Sequence, residues 1–306
     1  MKYTSTAFFA LMLASASFFG CTKNPYASTN KSHKKQLKAY AKQLRTTPAT
    51  NPGEEQLQQG DYWVGTTNFS LRRPNYVVIH HTAQHSTDQT LKTFTMPKTQ
   101  VSAHYVIGRD GKVYHMLNDN LRAWHGGNSR WGSNTDLNSS SIGIELDNDG
   151  YEAFADEQIN SLLQVLATLK KTHGIPAANF IGHSDIAPTR KNDPNRTFPW
   201  KKLAEQGYGL WYDEGLIEKY YQPAAPITVL DSTGTKPAVI LQPLDSISTI
   251  PVQFNPKEAL RIIGYDTRDV PAAIKAFKLH FIQTEVDTIL TDKDKIILYN
   301  LYQKYL

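Results

Sequence analysis

The chain has 306 residues, of which 40% are hydrophobic and 20% charged; that balance excludes a disordered chain and is enough for one large domain or two smaller ones. The formal net charge of +5 misleads, because eight of the 33 Lys and Arg fall in the first 45 residues, which hold no Asp or Glu, leaving 25 basic against 28 acidic residues beyond. The folded part therefore presents no nucleic-acid surface, and a single cysteine excludes an intramolecular disulfide.

Lys2 precedes an apolar run from Ala7 to Phe19. The run is shorter than the roughly 18 residues that a bilayer span needs and has the length of a secretory signal core. Gly20 and Cys21 follow directly. The arrangement resembles the lipobox of bacterial lipoproteins, with Phe18 where Leu is usual. Residues 1–20 are thus expected to be a signal peptide and Cys21 the lipidated residue; the other reading is an ordinary cleaved signal. Thr22 stands where an Asp would hold a lipoprotein at the inner membrane, which points to the outer membrane, facing the periplasm.

Residues 21–60 read as a polar, basic tether with a short helix around Lys34–Leu44. Its cations Lys23, Lys31, Lys34, Lys35, Lys38, Lys42 and Arg45 either rest on anionic headgroups, each adding about 1 kcal/mol, or belong to a solvated linker.

A folded region spans 61–222. Tyr76-Val77-Val78-Ile79-His80 is a β-branched run that predicts a buried strand. His104 to Met116 predicts a hairpin about Asp110-Gly111. Ile142 to Leu146 alternates with period two, with Ile142, Ile144 and Leu146 on one face and Gly143 and Glu145 on the other. Asp156 to Thr172 carries a helical stripe of Ile159, Leu162, Leu163, Leu166 and Leu169, stopped by Gly174. Phe180-Ile181-Gly182-His183 is the next strand. Strands alternating with helices imply an α/β domain with a mixed central sheet flanked by helices.

Residues 223–252 turn linker-like, rich in Pro, Ser and Thr, and 253–306 predict a small three-helix domain. Asn255 with Pro256 and Glu258 signals one helix start, Ile274 to Phe281 a second helix, and Thr291-Asp292-Lys293-Asp294 the cap of a third.

Chemistry concentrates in four segments: Val78-Ile79-His80-His81-Thr82, Ser141-Ile142-Gly143-Ile144-Glu145, Ile181-Gly182-His183-Ser184-Asp185 and Arg190-Lys191-Asn192-Asp193. They offer imidazoles, carboxylates and an ammonium, the groups that a three-ligand metal site with a water, a base and an oxyanion stabiliser needs. Strand neighbours point to opposite faces, so His80 and His81 are not expected to share one metal. Each residue alone has a bland reading: a structural histidine, a strand-edge carboxylate, a solvated lysine.

In combination and order, these motifs, with the run from His183 through Pro188 to Pro194, resemble the zinc-dependent N-acetylmuramoyl-L-alanine amidases, a group that includes phage-lysozyme-type amidases and peptidoglycan recognition proteins. The resemblance covers about Tyr76 to Trp200. It implies one Zn2+ held by His80, His183 and Asp193, with Glu145 as general base and Lys191 facing the developing oxyanion. His81 falls at a variable position, and Asn192 departs mildly from the pattern outside the catalytic positions. His104, Trp124 and His125 match residues near the substrate groove. The implied reaction is hydrolysis of the amide between N-acetylmuramic acid and L-alanine in peptidoglycan or its fragments. The alternatives are a receptor that binds peptidoglycan without cutting it, and a zinc peptidase or deacetylase acting on another wall amide. The expected partners are muropeptides and, through Cys21, a membrane; no obligate protein partner is evident.

Arg261 to Asp266 and Ala272 to Phe277 resemble a three-helix peptidoglycan-binding module, the other reading being a packing extension without a ligand. His85, His115, Trp131 and Arg190 receive no role, and His173 is expected to complement a helix dipole at its C-terminus.

Overall fold

The computed structural model describes residues 24–46, 58, 60–220, 227–230, 237–240 and 250–306. The signal residues and Cys21 lie outside the described residues, as does much of the segment expected to be a linker. Two compact units are present, Met1–Phe69 and Ser70–Leu306.

In the first unit, α1 (Ala27–Leu44) is longer than the short helix expected and buries none of its residues. Helical spacing sorts its side chains by type. Leu37, Tyr40 and Leu44 run along one side, and Lys31, Lys34, Lys35, Lys38, Lys42 and Arg45 share the adjoining side. Among the described residues no helix is long and apolar enough to cross a membrane.

The second unit is built on a five-stranded sheet in the order β3-β2-β4-β1-β5. The strands are β1 (Tyr76–His81), β2 (Tyr105–Ile107), β3 (Val113–His115), β4 (Ser141–Leu146) and β5 (Phe180–Gly182). All neighbours are parallel except the β2–β3 hairpin, so the sheet is mixed as expected. The intervening helices are α2 (Thr87–Thr95), α3 (Leu137–Ser140) and α4 (Asp156–His173); α5 (His183–Ile186), α6 (Trp200–Glu205) and α7 (Glu214–Tyr220) follow β5.

Alternation along the strands divides the core. Val77, Ile79, Ile142, Ile144 and Leu146 pack with the α4 stripe of Ile159, Leu162, Leu166 and Leu169. Each such buried side chain contributes roughly 1.5–3 kcal/mol of hydrophobic stabilisation. Val78 on the opposite face packs with α8 (Pro256–Ile263), α9 (Val270–Phe281) and α10 (Asp292–Tyr305), through Leu260, Phe277 and Leu301 among others. The C-terminal helices thus share a core with the sheet.

Local capping follows the sequence signals. Asn255 accepts the Lys257 and Glu258 N–H groups, Thr291 forms a capping box with Asp294, and Gly174 closes α4 in the left-handed conformation. Within 223–252, read as a linker, β6 (Ile227–Leu230) and β7 (Pro237–Ile240) pair as an antiparallel ribbon. The surrounding Pro and Ser/Thr masked the β-branched character of Ile227 to Leu230.

Candidate metal centre and its groove

Parallel strands deliver their C-terminal ends to one edge of the sheet, where ligands of open α/β sheets collect. His80 lies at the end of β1, Glu145 near the end of β4, and His183 just beyond β5 at the first position of α5. In the β1–β4 register His80 is paired with Glu145 and Val78 with Gly143. His80 and Glu145 therefore share the face opposite the α4 core. Burial covers all six residues of β4 because this polar face is closed over by other parts of the site.

Three donor atoms converge there. His80 Nδ1 and His183 Nδ1 are 2.8 Å apart, and Asp193 Oδ2 lies 3.2 Å from the first and 3.0 Å from the second. Among the described residues these three form the one cluster fit to hold a metal ion. Ligand atoms about 2.0–2.1 Å from a tetrahedral zinc are separated by about 3.3 Å, so the triangle is close to a metal's size. Burial drives the His80 imidazole down to about 4, with His183 adding to the effect, so His80 is neutral and offers a lone pair. Burial pushes the Asp193 carboxyl up, but the two histidines outweigh it and hold it well below the usual carboxylate range. Lone pairs from neutral imidazole and carboxylate, facing one another this closely, suit a dication.

Glu145 Oε1 is 4.0 Å from His80 Nδ1, too far to join the triangle. Its Oε2 is buried and meets no hydrogen-bond partner among the described residues. Burial first and the Asp193 charge second raise this carboxyl, with Lys191 opposing both, to about 8. A cation among the donors acts in the same direction as Lys191. A buried carboxylate with a free oxygen beside a metal site is placed to hold a proton in transit.

A polar relay orients His80 from behind. His80 Nε2 is 3.1 Å from His125 Nδ1, and His125 Nε2 is 3.2 Å from Ser141 Oγ, which in turn donates to the Leu137 carbonyl. With His80 Nδ1 free of a proton, one tautomer satisfies the whole chain: His80 Nε2–H donates to His125, and His125 Nε2–H donates to Ser141. Such partners fix a ligand's tautomer and ring orientation. The Asn138 side-chain oxygen accepts the His125 and Gly126 N–H groups at 3.0 and 2.7 Å. Gly143 makes room for the ring, since a Cβ there would sit 2.4 Å from His125 Cγ.

A groove of about 460 Å3 opens beside the triangle, lined by Trp124, His125, His183, Arg122, Arg190 and Lys191 among others. Trp124 is 52% exposed and presents its ring to solvent. Lys191 is exposed at the groove wall. His125 reaches both groove and relay. His104 does not reach the groove, contrary to its expected place near substrate. It is fully buried, accepts the Gly143 N–H at Nδ1 and donates from Nε2 to the Leu121 carbonyl, each at 3.0 Å. Its part is to support β4.

Several residues outside the expected site set are also placed by the structure. His81 points away from the triangle, as strand alternation requires, and its Nδ1 accepts the Asn195 N–H at 3.1 Å, which steadies the chain just past Asp193. Arg190 donates to the Gly126 and Asn128 carbonyls and so pins the loop that carries His125. Ser184 N–H donates to the Asp193 carbonyl at 2.8 Å, joining two members of the triangle through one turn. His173 Nε2 sits 3.1 Å from Asp119 Oδ2, a pairing more specific than the dipole contact expected for it.

Residues 70–196 match the family model described as N-acetylmuramoyl-L-alanine amidase. The chain is 32% identical over 255 residues to the N-acetylmuramoyl-L-alanine amidase AmiD of Escherichia coli K12, covering 76% of this chain and 84% of that one. The solved complex of E. coli AmiD with anhydro-N-acetylmuramic acid-L-Ala-D-gamma-Glu-L-Lys superposes with a TM-score of 0.62 at 28% identity, over 79% of this chain and 93% of that one. AmpDh3 of Pseudomonas aeruginosa, solved with anhydromuramic pentapeptide, gives 0.63 at 28% identity over 81% and 99%. At 32% identity over 84% of the length of such an amidase, and with residues 70–196 matching the family model, the chain belongs to the N-acetylmuramoyl-L-alanine amidase family.

Proposed function

We propose that the protein is a zinc-dependent hydrolase that cuts the amide between the lactyl group of N-acetylmuramic acid and the L-alanine of the stem peptide, in peptidoglycan or its soluble fragments. The observation that carries the reading is the His80–His183–Asp193 triangle with Glu145 4.0 Å from His80 beside an open groove. The anhydromuropeptides bound by AmiD and AmpDh3 support fragments of this class as substrates.

His80, His183 and Asp193 would hold the zinc, which when bound would supply Lewis acidity and lower the pKa of water at the site. The chain's own residues do the rest. Glu145 takes a proton from the attacking water on its unpartnered oxygen and passes it to the leaving alanine nitrogen. Lys191, at the groove wall, places an ammonium where the carbonyl oxygen gains charge. Trp124 offers an exposed aromatic face to the sugar or peptide. His125 and Ser141 hold the His80 ring in its donor tautomer.

The site of action belongs to the same proposal: the cell envelope, with the protein anchored by lipid on Cys21 and facing the periplasm from the outer membrane. The acid-free cationic side of α1, next to the apolar line of Leu37, Tyr40 and Leu44, supports a position against anionic headgroups.

Zinc-loaded protein incubated with purified peptidoglycan tests the reading. New N-terminal alanine appearing in the soluble fraction supports it. Binding to the wall with no new amine would indicate a receptor, and new termini at other stem residues would indicate a peptidase.

A further inference from the structure

Asp185 is the unexplained acid of the ligand motif. It is fully buried, two residues past His183, and it does not enter the triangle. A buried carboxylate is tolerated only when its oxygens are paired. Both are. Oδ2 accepts the Gly182 N–H at 2.7 Å and the His280 Nδ1–H at 2.8 Å, and Oδ1 accepts the Tyr265 hydroxyl at 2.9 Å. Two of the three donors come from the C-terminal helical segment, 80 and 95 residues away in sequence.

Those donors are themselves held rigidly. The His280 ring stacks on Trp200 at 3.8 Å between centroids and on Phe281 at 4.1 Å. Tyr265 packs edge-on against Trp131 at 5.1 Å. Trp131 lies so close to Gly264, at φ +135°, that a Cβ there would meet its ring at 2.4 Å. Just past α9, Gln283 donates to the Phe198 carbonyl at 2.6 Å, close beyond Asp193.

The other side of Asp185 is the ligand turn. Gly182 precedes His183, and the N–H that Asp185 fixes belongs to the peptide entering the turn. Ser184, between His183 and Asp185, holds the Asp193 carbonyl. Four consecutive residues thus carry one ligand, a tie to a second ligand and the socket for the C-terminal helices.

We propose that the C-terminal helices are part of the scaffold of the metal centre: Tyr265 and His280 are positioning residues that lock Asp185, and Asp185 sets the turn that presents His183 and Asp193. The proposal rests on the reading that this triangle holds the metal. It gives the C-terminal segment a role independent of any wall binding. Removing either donor leaves a buried carboxylate oxygen short of a partner, and the turn shifts to compensate. Loss of a partner bonded directly to a ligand costs about 10–100-fold in metal affinity, and a comparable loss is expected where the partner fixes the turn that carries two of the donors.

The test is a chelator-competition measurement of zinc affinity on full-length Tyr265→Phe and His280→Phe, with His280→Asn as the conservative variant that keeps a side-chain N–H donor. Leu298→Ala, in the same helical core but far in chemistry from Asp185, serves as a control for lost stability. Cobalt-loaded samples report ligand geometry through their visible spectrum. The expected result is a 10–100-fold weaker affinity and an altered cobalt spectrum in both Phe variants, partial recovery in His280→Asn, and wild-type affinity with an unaltered spectrum in Leu298→Ala. Wild-type affinity in the two Phe variants overturns the proposal, as does equal weakening in Leu298→Ala. Failure of the wild-type protein to bind zinc would instead overturn the metal reading on which it rests.

Discussion

His80 and Glu145 are register partners on adjacent parallel strands, and their side chains approach to 4.0 Å between Nδ1 and Oε1. The strand pairing itself thus sets the proposed metal donor beside the proposed proton carrier. Replacing the carboxylate without altering the strand separates the two roles. Glu145→Gln is expected to bind zinc as wild type does and to lose about 10^2–10^4-fold in kcat. Metal analysis and kinetics on the same sample check this, and a zinc-free Glu145→Gln would show that the two roles are not separable.

The pH profile of the reaction should carry the same signature. Burial raises the Glu145 carboxyl, and the residue must be ionised to accept a proton. Activity is therefore expected to fall as pH is lowered on a limb displaced from the ordinary carboxylate range toward neutrality. A profile flat from pH 8 down to pH 5 would count against Glu145 as the base.

Lys191 lies at the groove wall and outside the triangle. Lys191→Ala is expected to leave zinc content unchanged and to lower kcat by about 10^2–10^3-fold, the usual cost of one oxyanion donor. A change confined to KM would assign the ammonium to ground-state binding instead.

The relay behind His80 predicts that His125→Ala weakens zinc binding about 10–100-fold. Gly143→Ala should have a similar effect, because its Cβ occupies the place of the His125 ring. Chelator competition measures both. Unchanged affinity in His125→Ala would mean that the His80 tautomer is set elsewhere.

His104 gives a stability prediction away from the chemistry. Burial, reinforced by Arg72, lowers its imidazole to about 4, against about 6.5 in an unfolded chain. The unfolded state therefore binds the extra proton between these values, and the stability that neutral His104 contributes is present above about pH 6.5 and lost as pH falls toward 4. The difference amounts to about 3 kcal/mol across that window. Urea unfolding of metal-free protein at pH 7 and pH 5 should show the loss, and His104→Gln should reduce it. An equal or larger stability at pH 5 would contradict the assignment.

Much of this was legible in the chain. The β-branched run into His80, the alternation around Glu145 and the capped C-terminal helices all have local signatures, and the structure contains those elements. The three residues that the resemblance implies as metal ligands are the three that converge in the donor triangle. What could not be read is what depends on distant partners. Asp185 lies two residues past His183 yet faces Tyr265 and His280. His104 looks like a groove residue until β4 is seen to bury it. The His125–Ser141 contact joins a loop to a strand start, and no local period announces such a pair. The β6–β7 ribbon was hidden by the composition around it.

The most direct test of the central claim is mass analysis of one defined muropeptide after digestion by zinc-loaded protein. Two products are expected, whose masses sum to the substrate plus one water: the intact muramyl sugar and a peptide beginning with free L-alanine. The same substrate should survive incubation with Asp193→Ala. A sugar still joined to alanine after complete turnover, or a substrate left whole by well-folded, zinc-loaded protein, would contradict it.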